Sequence, residues 1–545
     1  MKMKRVPSVL ITTMVIGAML TACTGNGSSP SASDNAASAT SKEKPKLTMF
    51  FNNAGLQSPA DVDLSNNEFI NIVKETAGVD LKMETVPYAE YQTKFNLMLS
   101  SGDLPDILHT NYPEPAYKAA RDGAFIDLKP YYDKSPILQK LVTPQMMELA
   151  KDPVSGKNWR IPMVYDKGPQ GSGVMARADL LDKYNGGKWP ESVEEWVDVL
   201  RKIKKAEPDS IPMSNRVVGD YMFRYGGAVF FMLYGADPYG YRIQDGKIIP
   251  NVVLPEYKAA VELYRQLYAE GIFDKEFATT DGAKWATKWK EKNVLFQWNS
   301  ADQLMPGAAR LVALPGTDIA DKNARVEFAP ALKKYPSVLK DPKYAQNTLN
   351  DPIVDHGLYI SSKSKNPDAA FKVIEAFASD KLREAIFWGK EGETYTMKDG
   401  KRMPIAEKLG ADSRRWVKSM AFLFGYTDGQ DAQLATYEQQ MGPDKYKKAY
   451  DSVKALGEEA KANGLGSIVG YSTPDEVVKK NSEIMQDINR FTSEAIMGKI
   501  TMDQFDGEVK KWEAKYRSLK YDPMQKYIDA NKEKLKGLNV KKVTW

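Results

Sequence analysis

Side chains suited to nucleophilic attack or soft-metal ligation are scarce in this chain. Its 545 residues include one cysteine, Cys23, and two histidines, His109 and His356. A single cysteine can form neither a disulfide nor a thiolate metal site within the chain. Zinc-protease spacing (HExxH) and the GxSxG nucleophile elbow are both absent. Gly464-Leu465-Gly466 opens like a dinucleotide loop, but the next glycine stands at Gly470, one place late. His109 closes an apolar run and His356 opens one, positions that suit structural histidines. The chain is richer in aromatic surface, with 10 Trp, 28 Tyr and 19 Phe. Most of these rings belong in a core, but their excess over His and Cys points to binding rather than catalysis.

The surroundings of Cys23 set the frame for the rest. Lys2, Lys4 and Arg5 precede an uncharged, mostly apolar run over 6–20, and Leu20-Thr21-Ala22-Cys23 ends it. A charged start, a short apolar run and small residues at a cleavage point make an export signal. The run of about 15 residues is shorter than the ~20 that a membrane-crossing helix needs. The four residues ending at Cys23 resemble the lipobox of bacterial lipoproteins. That resemblance implies cleavage before Cys23, diacylation of its sulfur (a palmitate-type anchor) and residence on the extracytoplasmic face of the cell membrane. The alternative is an ordinary buried cysteine behind an ordinary signal. Residues 24–46 contain no large apolar side chain. Such a composition buries too little surface to offset its ordering entropy, so a flexible linker is expected over 23–45.

With residues 1–22 removed, the chain is still too long for one core, and two or more lobes are expected. Hydrophobic content of 42% and a mean hydropathy of −0.48 fit a globular chain with no second membrane span. The 76 basic and 71 acidic residues nearly cancel, to +5. With no long basic block, nucleic acid is not an expected partner.

The elements that must position any site begin at residue 46. Leu47-Thr48-Met49-Phe50-Phe51 reads as a strand, followed by the loop Asn52-Asn53-Ala54-Gly55. Phe69, Ile70, Ile72 and Val73 fall at helical spacing, ended by Gly78, and Leu81, Met83 and Thr85 suggest a second strand. A helix over 88–101 closes at Gly102, and Asp106-Ile107-Leu108-His109 reads as a third strand. Strands alternating with helices predict an α/β lobe on a mainly parallel sheet. Ligands of such sheets sit beyond the carboxyl ends of the strands, places held by Asn52, Asn53, Thr110, Asn111 and Tyr112. Further on, Ser192 with Glu195 forms a capping-box pattern for a helix bearing Trp196, Val197 and Leu200 on its apolar face.

Several segments, in order, resemble the extracellular solute-binding proteins of family 1, the carbohydrate-type lipoprotein components of ABC transporters. They are Ser101-Gly102-Asp103-Leu104-Pro105-Asp106-Ile107, Asp122-Gly123-Ala124-Phe125-Ile126-Asp127-Leu128 and Gly156-Lys157-Asn158-Trp159-Arg160-Ile161-Pro162. Arg177-Ala178-Asp179-Leu180-Leu181, Trp189-Pro190-Glu191-Ser192-Val193-Glu194-Glu195-Trp196 and Asn293-Val294-Leu295-Phe296-Gln297-Trp298-Asn299 follow. Later come Asp355-His356-Gly357-Leu358-Tyr359-Ile360, a helix start at Asn366-Pro367, and Trp388-Gly389-Lys390-Glu391-Gly392-Glu393-Thr394-Tyr395. Residues 488–512, with a Thr501/Gln504 capping box, resemble the family's C-terminal helices. The similarity spans about residues 46–535.

The resemblance implies an α/β, two-lobed periplasmic-binding-protein-like fold with a hinge, an interlobe cleft and extra C-terminal helices. Residues 1–22 would be the signal peptide and 23–45 the lipid-anchored linker. Lobe 1 would comprise 46–162 and 331–425, and lobe 2 with the C-terminal helices 163–330 and 426–545. Crossings near Pro162 and Pro330 would let the lobes close on a ligand. The function implied is capture of a sugar or oligosaccharide by a monomer that delivers it to permease subunits, without catalysis or cofactor. A pyranose offers hydroxyls at its edge and C–H groups on its faces, so it needs planar polar partners and aromatic rings. Trp298 and Trp388 lead as stacking residues, with Tyr395 and Tyr112 behind them. Asn52, Asn299, Arg177 and Glu391 would supply edge contacts. Core packing, capping or solvation is the other reading for each. Some relatives that bind acidic oligosaccharides carry a calcium loop after the helix corresponding to 192–205. Here Lys205-Ala206-Glu207-Pro208-Asp209-Ser210-Ile211-Pro212 is too short and too poor in oxygen ligands, so no metal is expected. A secreted glycoside hydrolase, or a binder of peptides or other solutes on the same fold, remains the competing reading.

Overall fold

The computed structural model describes residues 43–545 apart from 165–170, 302–323, 350–352, 410–411, 424–437, 439–441, 465–470, 472 and 538–542. The export signal over 1–22, the lipidation site Cys23 and most of the linker over 23–45 lie outside the described residues. Contacts part the chain between Glu43 and Lys44, and everything below concerns 44–545.

In chain order the strands are β1 (Lys46–Phe50), β2 (Asp80–Glu84), β3 (Ile107–Thr110), β4 (Ile161–Val164), β5 (Ser172–Arg177) and β6 (Tyr241–Gln244). They continue with β7 (Lys247–Pro250), β8 (Phe296–Ser300), β9 (Val326–Phe328), β10 (Ile353–Ile360), β11 (Tyr395–Lys398) and β12 (Lys401–Pro404). The first sheet runs β2-β1-β3-β10-β4. β1 pairs in parallel with β2 and β3, whereas β10 is antiparallel to β3 and β4. The sheet is therefore mixed rather than mainly parallel, because β10 arrives from far along the chain and wedges between β3 and β4. Side-chain alternation divides its two faces. Leu47, Met49 and Ile107 join a core with Phe69, Val73 and Ile374, while Phe50, Leu108 and Tyr359 join another with Tyr91 and Phe95.

Local signals set the flanking helices. Asn67 accepts from the backbone N–H groups of Phe69 and Ile70 to start Glu68–Ala77, and left-handed Gly78 (φ 68°) ends it. Tyr88–Ser101 ends on Gly102 in the same conformation. At Pro367–Phe377 the proline sits in the first turn as expected, but the Asn366 side chain makes no capping bond. Ser364 Oγ accepts from the Asn366 N–H instead (3.4 Å) while donating to Asp106 (2.5 Å).

The second sheet, β8-β5-β9, is antiparallel throughout. Helix Val193–Ala206 packs Trp196 and Leu200 into its core. Ser192 Oγ accepts from the Glu195 N–H (3.2 Å), but the Glu195 carboxylate accepts from the Glu191 N–H (2.8 Å), so the reciprocal arm of the box lies one residue early. The Thr501/Gln504 box has both arms. Helices Asp475–Ile496, Met502–Tyr516 and Asp522–Ala530 seat Phe491, Phe505, Trp512 and Ile528 in the same core.

Residues 331–349 also lie with the second sheet: Leu332 enters its core, and Tyr344 packs beside Gly235 and Arg242. The passage back to the first sheet thus follows Leu349, not Pro330. Trp416 and Met420 belong to the first core, whereas Val453 and Leu456 of helix Pro443–Asn463 join Met175, Trp285 and Trp289. Among the described residues, those up to Val164 and from Ile353 to Leu423 lie with the first sheet, and those from Gly171 to Leu349 with the second.

Candidate ligand-binding site

Strand pairing and a tight loop together build a cavity beside the second sheet. In β8, Phe296 turns into the core and meets Trp196 edge-on (5.3 Å, 89°). Trp298, two residues on, shares that face but is only half-buried. Opposite it runs the segment 218–228, pressed onto 214–215 by two glycines. A Cβ on Gly226 would lie 2.0 Å from the Ser214 carbonyl oxygen, and one on Gly227 2.2 Å from Asn215 Oδ1. No larger residue allows that approach. The β6–β7 hairpin supplies the next wall. The enclosed volume is about 700 Å³, lined in part by Tyr221, Arg224, Tyr225, Tyr241, Trp298 and Asn299, within the usual range for ligand sites.

Guanidinium groups pin three of the tyrosines at this cavity. Arg224 lies 4.4 Å over Tyr221, Arg216 4.7 Å over Tyr225 and Arg242 4.1 Å over Tyr344. Arg242 is neutralised by buried Glu256 (3.0 Å) and donates to the Gly235 carbonyl (3.1 Å). Tyr221 also meets Tyr239 edge-on at 5.1 Å. The Tyr239 hydroxyl donates to Asn489 Oδ1 (2.6 Å) and accepts from the Phe223 N–H (2.8 Å). Burial pushes its pKa well above the ordinary tyrosine value. Asp237, at the same cavity, accepts from the Tyr239 N–H (3.1 Å). Partly exposed rings held at fixed tilt beside amides, hydroxyls, the Arg224 and Arg242 guanidinium groups and the Asp237 carboxylate are equipped to stack on a flat ligand and hydrogen-bond its edge.

The sequence candidates fall into separate groups. Trp298 and Asn299 line the cavity; Asn299 Oδ1 accepts from the Ser300 N–H (3.0 Å). Arg177 does not reach it. Only 1% exposed, Arg177 grips Asp179 through two bonds (2.8 and 2.5 Å), where the Arg325 N–H also donates to Asp179. Asn52 and Tyr112 stand at the carboxyl ends of β1 and β3, on the first sheet. Asn52 is buried and donates to Asn111 Oδ1 (2.7 Å). Tyr112 stacks on Phe95 (5.9 Å) and Tyr91 (6.3 Å), and burial, then nearby Tyr88, raises its hydroxyl pKa. Trp388, Tyr395 and Glu391 form a third group. Trp388 is buried against Leu409, meets Tyr395 edge-on (5.6 Å) and lies 5.4 Å below the Arg402 guanidinium. Glu391 is exposed, its backbone bridged to Tyr395.

The two histidines meet across β3 and β10, rings 5.2 Å apart. Because the Asn52 N–H donates to His109 Nδ1 (3.3 Å), the His109 Nε2–H is left to donate to His356 Nδ1 (3.2 Å). Among the described residues no three His, Cys, Asp or Glu side chains gather as metal ligands, and no helix is long and apolar enough to cross a membrane.

Sequence reasoning missed Tyr221, Arg224, Tyr225 and Tyr241. The available signal was the stretch Val218-Gly219-Asp220-Tyr221-Met222-Phe223-Arg224-Tyr225-Gly226-Gly227. It is aromatic, with one arginine and paired glycines, yet has neither strand nor helix period.

Fold and cavity together define a binding protein of the periplasmic type. The profile of the bacterial extracellular solute-binding proteins matches residues 62–384, more than half of the chain, and the chain belongs to that family, one of binders rather than enzymes. It is 28% identical over 236 residues to lipoprotein LipO of Bacillus subtilis (strain 168), a match spanning 42% of this chain and less than half (45%) of that relative. Over 520 residues it is 22% identical to the polygalacturonan/rhamnogalacturonan-binding protein YtcQ of the same organism, covering 93% of this chain and 95% of YtcQ. The solved structure of the S. pneumoniae ABC-transporter substrate binding protein FusA in complex with kestose shares the fold. Its TM-score is 0.65 at 19% identity, over 90% of this chain and all of that one.

Proposed function

We propose that this chain is the lipid-anchored substrate-binding component of an ABC importer, and that it captures an oligosaccharide in the Trp298 cavity for delivery to a membrane permease. The observation that carries this reading is half-exposed Trp298 facing a loop of pinned tyrosines, with Asn299 and Ser300 beside it. The rings suit the C–H faces of a sugar and the amide and hydroxyl its edge. Relatives named for binding polygalacturonan and solved with kestose support the ligand class. The likeness to LipO, with the sequence around Cys23, supports the lipid anchor. The two sheets serve as two lobes, and a ligand that also touched Asn52 or Tyr112 would favour closure by its extra affinity for the closed form. Affinity in the micromolar range, about −8 kcal/mol, is expected. Calorimetric titration with kestose, trigalacturonate, other oligosaccharides and short peptides tests the class. Heat with at least one oligosaccharide is the expected result, and binding of peptides alone would overturn the reading.

A further inference from the structure

The cavity has a wall from a distant part of the chain. Val543 lines it beside Tyr241, Arg242 and Ile243, although it lies far beyond the elements that build the other walls. It gets there by strand addition: Val543 bridges Ile243 in parallel, along the edge of β6 that β7 leaves free. Thr544 makes the attachment specific. Its N–H donates to the Ile243 carbonyl (3.0 Å), its carbonyl accepts from the Gly246 N–H (2.8 Å), and its Oγ1 accepts from the Asp245 N–H (2.7 Å). Asp245 and Gly246 are both left-handed (φ 52° and 71°), the two-residue turn that an Asp-Gly pair favours. From another side Gln525 clamps the same hairpin, accepting from the Ile248 N–H (2.8 Å) and donating to the Gly246 carbonyl (2.8 Å). Trp545, partly buried on the second core, anchors the segment.

We propose that residues 543–545 belong to the ligand-binding site, with Val543 as an apolar wall and Thr544 as a clasp that positions Tyr241 and its hairpin at the cavity edge. This rests on reading the Trp298 cavity as the sugar site. Without Thr544 the hairpin turn loses three hydrogen bonds and keeps those of Gln525, so Tyr241 would be held less firmly in tilt, and ligand affinity would fall without loss of the fold.

Val543→Trp, which fills the cavity from this wall, and deletion of 543–545 test the proposal by calorimetry with kestose and trigalacturonate, beside Trp298→Ala. Melting temperature and hydrogen exchange of the 241–250 amides are measured in parallel. Val543→Trp is expected to weaken the sugar that binds by about tenfold or more at unchanged melting temperature. The deletion should weaken it too and speed exchange over 241–250. Parent-like affinity in Val543→Trp, with affinity lost in Trp298→Ala, would overturn this proposal and leave the sugar site standing. If no oligosaccharide of the panel binds the parent, the sugar reading is what fails. Exchange over 241–250 unchanged by the deletion would then overturn the clasp.

Discussion

Two residues from the same sheet illustrate how burial decides a side chain's role. Trp298 and Arg177 lie on paired strands or their ends, yet Trp298 keeps an open face while Arg177 is 1% exposed. Truncating Arg177 leaves Asp179 without its bidentate partner, so Arg177→Ala should cost about 3 kcal/mol or more of stability. That would be seen as a lowered denaturant midpoint with unchanged affinity in the folded fraction. Lys520 makes the opposite case. Burial pushes its ammonium down to about 8 from 10.5, so the charged form is disfavoured in the folded state. Below pH 8 the group is protonated folded or unfolded, and its burial cost is felt in full. As pH rises from about 8 to 10.5 the folded form sheds its proton first and stability recovers. Lys520→Met should therefore stabilise the protein at pH 7 by up to about 3 kcal/mol. Melts across pH should show the gain shrinking above pH 8 and gone near 10.5.

At the scale of elements, the segment 218–228 is the site's most constrained part. Gly226→Ala would set a methyl 2.0 Å from the Ser214 carbonyl, against backbone that cannot swing aside. A loss of about 3 kcal/mol is expected, with weaker ligand binding even where the protein remains folded; thermal melts and calorimetry on one sample read both. Much of the element structure was legible in the sequence because its causes are local. Phe69, Ile70 and Val73 with Gly78 mark a helix within ten positions, and Thr501 with Gln504 needs only four. The site was less legible because its causes are distant. Trp388 carries the motif of a stacking residue, but Leu409 and Tyr395 cover it, and nothing local to Trp388 announces that. Nor does alternation around β3 disclose that β10 will pair with it antiparallel. Trp298 and Asn299, candidates because their strand segment is distinctive, line the cavity, whereas Tyr221 and Tyr225 reach it from a loop with no period.

For the whole molecule, the proposed lipid anchor and the proposed sugar site can be tested separately. Acylation at Cys23 predicts that Cys23→Ser moves the protein from the detergent to the aqueous phase on partitioning, and the parent already in the aqueous phase would contradict the anchor. The central claim, though, is that the ring of Trp298 holds a sugar. Its most direct test is the dissociation constant of the best-bound oligosaccharide for parent and Trp298→Ala, both confirmed folded by equal melting temperatures. A loss of about thirtyfold or more, the weight of a ring at the centre of a site, is the result predicted, and equal constants would contradict it.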